Sequence, residues 1–421
     1  MKYKTYNCNS FNVHTIKTDK FKTSHVEVIF RDIANKDEMG AYSFLADMLS
    51  QSSKTYPRKK DLITRFEELY KIIFYATTLR VGNVLDFHVS LDFINPDYIN
   101  DKNYVEEVIK TLFDIIENPN VTNDEFDLKT FNIVKERLKR EINSLKENPM
   151  KQSIKEAFKA MNADTPTSYE LLGNLESLEK ITPSSLYKTY KNLRKNFKVD
   201  IFLIGNLEMD DTVSLIKKYF KNRYIIENKL DLMVDNKEIK KPVVKSITSD
   251  NVQANLVMIF NLKNLTEIEK NITFNVFNYL YGNGGLTSKL YQSIREKNSL
   301  CYAISSMYLK YDKLLLVHIS LEQANVKKAA LLVKKELKNM QAGNFTEEEL
   351  KDAINNMIIS LDMAQDNTVS IINNYVFHVF DNLPMPEERV EMFKNIKKED
   401  VINVAKKVKL NTVFTLEGRN K

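Results

Sequence analysis

The chain has 421 residues, 43% of them hydrophobic and 28% charged, which is enough apolar content for two hydrophobic cores in a globular protein. Its formal charge of +6 comes from 62 basic and 56 acidic residues that are interspersed, so no single-sign field is set up to grip a phosphate backbone, and a nucleic-acid partner is not expected. No apolar run reaches the roughly 18 residues of a membrane span, the first ten residues lack a secretory signal's apolar stretch, and Cys8 and Cys301 are too few to staple a fold; a cytoplasmic protein is the expectation.

In chain order, residues 26–31 read as a strand and 40–49 as a helix whose Ala41, Phe44, Leu45, Met48 and Leu49 form an apolar stripe. Residues 74–81 and 85–93 read as adjacent strands. Strands that follow one another without a crossover helix pair antiparallel, so the fold class is α+β rather than doubly wound. Asn120-Val-Thr122-Asn-Asp-Glu125 carries the Thr-x-x-Glu pattern of a capping box ahead of a long charged helix. Near the end of the first half, Leu178-Glu-Lys-Ile181-Thr-Pro leads into a helix and then a strand at 201–205. Residues 221–245, rich in Lys, Asn, Asp and Glu with Pro242 near their end, suit a connecting segment.

The second half repeats these landmarks in the same order. Phe87-His88-Val89-Ser90-Leu91 returns as Val317-His318-Ile319-Ser320-Leu321, the Thr122 pattern returns as Thr346-Glu-Glu-Glu349, and the helix and strand after Ile181 return after Ile396, ending at 413–418. A period this long exceeds a solenoid repeat and indicates duplicated domains, placed at 1–225 and 226–421.

Three of the nine glycines, Gly282, Gly284 and Gly285, fall within four residues. A helix ending near Tyr281, a glycine turn, a helix over 287–297 and a strand from Cys301 follow from this run, which sets Arg295 and Tyr302 on either side of one turn. The glycine turn, the Arg295-Glu-Lys and the following Tyr302 resemble the C-terminal half of the M16 metallopeptidases, the insulinase and processing-peptidase family. The resemblance implies two tandem homologous domains, each a mainly antiparallel sheet with helices packed on it, that close as a clamshell.

Members of that family carry His-x-x-Glu-His on the helix after the first strand, where two histidines hold zinc and the Glu activates its water. Here the equivalent helix places Ser43 and Asp47 at the histidines and Ala46 at the base. The family's remaining ligand is a Glu on a later helix, matched best by Glu141. Two carboxylates, Asp47 and Glu141, do not make the three-ligand open site of catalytic zinc. His14, His25, His88, His318 and His378 never stand at i, i+4, and His88 and His318, at matching repeat positions, read as structural strand histidines.

The resemblance therefore implies a bacterial zinc-less member with no cofactor of its own, the non-catalytic subunit of a heterodimeric peptidase whose homologous partner bears His-x-x-Glu-His and the zinc. Arg295 and Tyr302 would be its catalytic contribution, Tyr302 donating to the developing oxyanion and Arg295 to a substrate backbone oxygen. Gly282, Gly284 and Gly285 would let an extended peptide substrate approach closely, although a helix C-cap explains Gly282 equally well. The alternatives are a catalytically inactive peptide-binding scaffold of the same fold and an independent hydrolase using Asp47 and Glu141.

Overall fold

Along Thr23–Ile33, Val26, Val28 and Phe30 enter an apolar core shared with helices, while His25, Glu27, Ile29 and Arg31 turn to the opposite face, as the two-residue period of a strand requires. In the computed structural model, which describes residues 1–221, 230–236 and 239–419, this strand lies inside a six-stranded sheet. The first strands are β1 (Lys2–Asn7), β2 (Asn12–Lys17), β3 (Thr23–Ile33), β4 (Ile73–Val81) and β5 (Val84–Ile94); a short hairpin of β6 (Val121–Thr122) and β7 (Glu125–Phe126) follows, then β8 (Lys198–Gly205). The sheet order is β1-β2-β8-β3-β5-β4, which leaves β4 at an edge.

A second sheet contains β9 (Val243–Thr248), β10 (Ala254–Leu262), β11 (Cys301–Leu309), β12 (Leu314–Leu321) and β13 (Val408–Glu417), in the order β11-β12-β10-β13-β9. Pairing is antiparallel except for β2 with β8 and β13 with β9. The α+β class read from adjacent strands is the class observed.

The described residues form two compact units. The first comprises Met1–Asn143, Tyr169–Leu232 and Asn367–Val376; the second comprises Ser144–Ser168, Met233–Asp366 and Phe377–Lys421. The boundary expected at 225/226 lies outside the described residues. In the second unit the helix Pro149–Asn162 lays Ile154, Ala157 and Phe158 on Val257, Ile259, Leu314, Leu316, Phe414 and Leu416, so its sheet is buried on both faces. In the first unit, Tyr375 stacks on Tyr3, which stacks in turn on His14.

Two local expectations change. Thr122 does not cap a helix: Asn123 and Asp124 take positive φ values of 52° and 63° and close the β6–β7 hairpin, because Asn and Asp tolerate the left-handed region a tight hairpin needs. Asp127 takes over the capping, its carboxylate accepting from the Thr130 amide at 2.8 Å at the start of the helix Leu128–Glu147. In the second half the capping box forms as read, with Glu349 N–H donating to Thr346 at 3.0 Å and Thr346 N–H to Glu349 at 2.8 Å. The connecting segment also ends earlier than 245, since Val243–Thr248 joins β13 as a parallel edge strand whose exposed lysine and serine hid it in the sequence.

Thr346→Ala is expected to destabilise the second unit by about 1 kcal/mol, and Thr122→Ala by less than about 0.5 kcal/mol. Hydrogen exchange of the amides at 346–364, read beside the thermal midpoint, distinguishes them; equal effects would mean that the Thr346 cap contributes nothing.

Candidate functional site

In the second unit the helical run over residues 269–283 is α-helical only at Phe274–Asn278 and is flanked by π-turns at Glu269–Thr273 and Tyr279–Asn283. Its apolar face is fixed by Phe274, Phe277 and Tyr281, all fully buried, and the Tyr281 hydroxyl donates to the Val333 carbonyl at 2.9 Å. The run stops where Gly284 N–H donates to the Tyr279 carbonyl at 2.9 Å and Gly285 takes φ +61°, a left-handed stop that glycine adopts without strain. Gly282 is buried, and an added Cβ would stand 2.7 Å from Ser306 Oγ and 2.8 Å from Leu290, so the close approach it permits is between this helix and β11. An added Cβ at Gly284 would collide with the Tyr279 ring, whereas Gly285 faces open space.

The next helix starts later than the expected 287. Thr287 lies in a 3-10 turn, Ser288 accepts from the Tyr291 amide at 3.4 Å, and Tyr291–Glu296 is a π-turn. The strand then starts at Cys301, as expected. Cys301 pairs with Leu321 and Ala303 with Ser320, so Tyr302 is the extra residue of a β-bulge on an edge strand, a device that re-aims a side chain. Arg295 Nη1 donates to the Tyr302 carbonyl at 2.8 Å, and its guanidinium lies 5.1 Å from the Tyr291 ring centroid. Arg295 thus pins the bulge, and the Tyr302 side chain projects 55% exposed. Burial pushes the Cys301 thiol up to about 11 against the pull of Arg295, so this neighbour is no thiolate nucleophile.

In the first unit, the helix Met39–Leu49 shows what stands where the family's zinc motif would be. Ser43 is buried, with its hydroxyl 2.6 Å from Thr78 Oγ1 and 2.7 Å from the Leu171 carbonyl, and Ala46 is buried. Asp47 forms an ion pair with Arg137, one turn before Glu141 on the helix Leu128–Glu147; Glu141 is exposed. Lys59 donates to the Ser50 carbonyl, and its pKa is pulled down by burial and by the charge of Arg137. Among the described residues, no group of three His, Cys, Asp or Glu could hold a metal ion. The donor set does not fit zinc: one candidate is satisfied by its neighbours, one has no polar atom, and one is neutralised by a guanidinium. Arg137 and Lys59 were missed from sequence. The i, i+4 spacing of Arg137 and Glu141 was the available signal, since it puts both on one helix face.

The matched histidines of the two units have opposite electrostatics. His88 Nδ1 lies 2.7 Å from Glu27, and His318 Nε2 lies 2.9 Å from Asn255; strand register puts Glu27 opposite Ser90 and Asn255 opposite Ser320, so the partners are equivalent. Burial works to lower the His88 pKa, but the Glu27 carboxylate overcomes it and the pKa is raised. At His318 burial acts against a neutral amide, and the pKa falls to about 4. Asp86, beside Arg31 and His88, is driven up to about 6 by burial.

Residues 180–357 match the family described as Peptidase M16 inactive domain. The chain is similar to the probable inactive metalloprotease YmfF of Bacillus subtilis (strain 168), at 26% identity over 414 residues, 96% of this chain and 95% of that protein. Among solved structures it is similar to a conserved protein from Enterococcus faecalis V583, with a TM-score of 0.93 at 23% identity, covering 100% of this chain and 99% of that one. It is also similar to a peptidase M16 inactive domain from Pseudomonas fluorescens, with a TM-score of 0.81 at 16% identity and coverages of 100% and 99%. The matched segment thus resembles the inactive domain of M16 peptidases, and the relatives similar to the chain over nearly its whole length include one named a probable inactive metalloprotease. Among the described residues, no helix is long and apolar enough to cross a membrane.

As pH falls from 6.5 to about 4, unfolded chain protonates at His318 while the native state does not, so stability drops there by an amount on the order of 3 kcal/mol. His88 acts in the opposite sense, contributing fully below 6.5 and losing its contribution as pH rises through its raised native value. Histidine-selective NMR titration should find His318 neutral to about pH 4 and His88 still protonated above 6.5, with Asn255→Asp raising the His318 midpoint. Equal midpoints for the two rings would contradict the assignment.

Proposed function

We propose that this chain is the zinc-free subunit of a heterodimeric M16 peptidase and supplies Arg295 and Tyr302 to a homologous partner that carries His-x-x-Glu-His and its zinc. The observation that carries the reading is the contrast between the two units: the metal helix is neutralised by the Asp47–Arg137 pair, while Tyr302 stands exposed on a bulged edge strand held by Arg295. A bulge pinned by a cation keeps a phenol at a fixed angle without burying it, which is what pre-organised donation to an oxyanion requires. Arg295 uses one donor on the Tyr302 carbonyl, and its planar fork has five, so the same guanidinium can also hold a substrate backbone oxygen.

The substrate that suits an edge strand is an extended peptide, read through main-chain hydrogen bonds more than through side chains. Gly285 adds no side chain at the turn after Asn283, and among the described residues nothing lies within 4 Å of its missing Cβ. Gly284 completes the turn that presents it, and Gly282 acts beneath, by seating the helix on Ser306.

Mixing this chain with an M16 homologue from the same organism that bears the zinc motif is expected to give peptide cleavage that neither chain gives alone. Tyr302→Phe should lower kcat by about 10²–10³ with little change in KM, the range for one oxyanion donor. Arg295→Ala should lower kcat and raise KM together, because it releases both the bulge and the substrate contact. If the partner alone matches the mixture, or if both variants run at the full rate, the chain is a peptide-binding scaffold instead.

A further inference from the structure

At one end of the second sheet, away from the Tyr302 bulge, lysines gather around a cavity of about 400 Å³, within the roughly 300–1,000 Å³ typical of small-molecule sites. Its walls are the end of β10 and the turn after it, the β11–β12 turn, and the residues 233–236. Lys263, Lys270, Lys310 and Lys313 line it, against the carboxylates of Asp235 and Glu267. Glu267 is largely exposed and bonds Lys270 at 2.9 Å; Lys310 is mostly buried and meets Asp381 at 2.5 Å.

Four amines in so small a space repel one another. Burial pulls the Lys310 pKa down, Asp381 opposes that, and the charge of Lys270 adds to the fall. The frame is fixed from behind: Leu262 N–H donates to the Lys313 carbonyl at 2.9 Å, and Lys407 Nζ donates to the Asn264 carbonyl at 2.9 Å. Asn236 adds a directional element. Its Nδ2 donates to the Asp312 carbonyl, and its buried Oδ1 has no partner among the described residues and is able to accept from a protonated oxygen.

We propose that this cavity binds a compact free anion of phosphate chemistry, about the size of pyrophosphate. Ammonium groups suit such a ligand as point charges around tetrahedral oxygens, and a phosphate oxygen that keeps its proton meets the acceptor of Asn236. The site is independent of the peptidase reading and would stand if that reading failed.

Pyrophosphate, compared with sodium chloride at matched ionic strength, is expected to raise the thermal midpoint by about 2 °C once it is tenfold above its dissociation constant. The paired variant Lys270→Met, Lys313→Asn should abolish the rise, and Lys17→Met, on the first sheet, should keep it. On the unaltered protein, acetylation of Lys270 and Lys310 read by mass spectrometry should slow at least threefold with pyrophosphate while Lys17 reacts at its usual rate. No protection at Lys270 and Lys310, or a rise that chloride reproduces, would overturn the site. Stronger protection by a phosphoserine peptide than by pyrophosphate would overturn the free-anion assignment.

Discussion

In the second unit, β10, β12 and β13 are covered on both faces, and this double burial determines what the remaining strands can do. On one side Leu256, Met258 and Phe260 pack toward the helices; on the other Val257 and Ile259 meet the helix Pro149–Asn162. A sheet buried twice cannot alternate apolar and polar residues, and Leu314–Leu321 is accordingly an almost unbroken apolar run. Each side chain buried there contributes about 1.5–3 kcal/mol, so the three strands form a rigid platform. The edge strand β11 inherits its position from β12 and keeps one free flank. A bulge at its first residues costs one ladder pairing at the end of the strand, where the platform loses least, and the Arg295 hydrogen bond offsets part of that cost.

The first unit solves the same geometry with different chemistry. Its second sheet face carries Glu27, Arg31, Asp86, His88 and Asp200, where the corresponding face of the other sheet is apolar. Such groups are tolerated because they meet one another: Glu27 with His88, and Asp200 with His14 at 3.2 Å and Arg31 at 3.4 Å. Burial works to raise the Asp200 carboxyl, but His14 and Arg31 hold it below its ordinary value. Replacing a network of this kind by apolar residues is often neutral or stabilising, and breaking one member is costly. The second unit has the more apolar version, with Asn255, His318 and Thr412 among its buried polar groups.

The parts of this architecture that sequence made legible are those where local and tertiary signals agree. Paired strands, the Thr346 cap and the start of β11 at Cys301 all follow from residue spacing, since each is set by neighbours within a few positions. Thr122 failed because the same Thr-x-x-Glu pattern contained Asn123-Asp124, whose preference for left-handed turns outweighed the cap. The π-turns around Phe274 were illegible: the buried Phe274, Phe277 and Tyr281 stand at the spacing of an ordinary α-helix, and the wider turns on either side are not marked by it. At the site, Arg295 and Tyr302 could be named only through the resemblance to the M16 family, while the bulge and the bond from Arg295 to the Tyr302 carbonyl depend on β12 and are not visible in the local sequence. Arg137 escaped notice because its partner Asp47 is ninety positions away.

That distant pair explains why the metal helix is more than a site with ligands removed. A divalent ion needs negative potential, and here Arg137 cancels the charge of Asp47 while Lys59 adds a second cation close by. Restoring imidazoles at 43 and 47 and a carboxylate at 46 would free Arg137 from its partner and leave a guanidinium facing the incoming ion. The Ser43 hydroxyl, closed onto Thr78 and Leu171, would in addition be replaced by a ring for which the buried helix has no space prepared. The electrostatics and the packing of this helix thus both disfavour a metal at these positions.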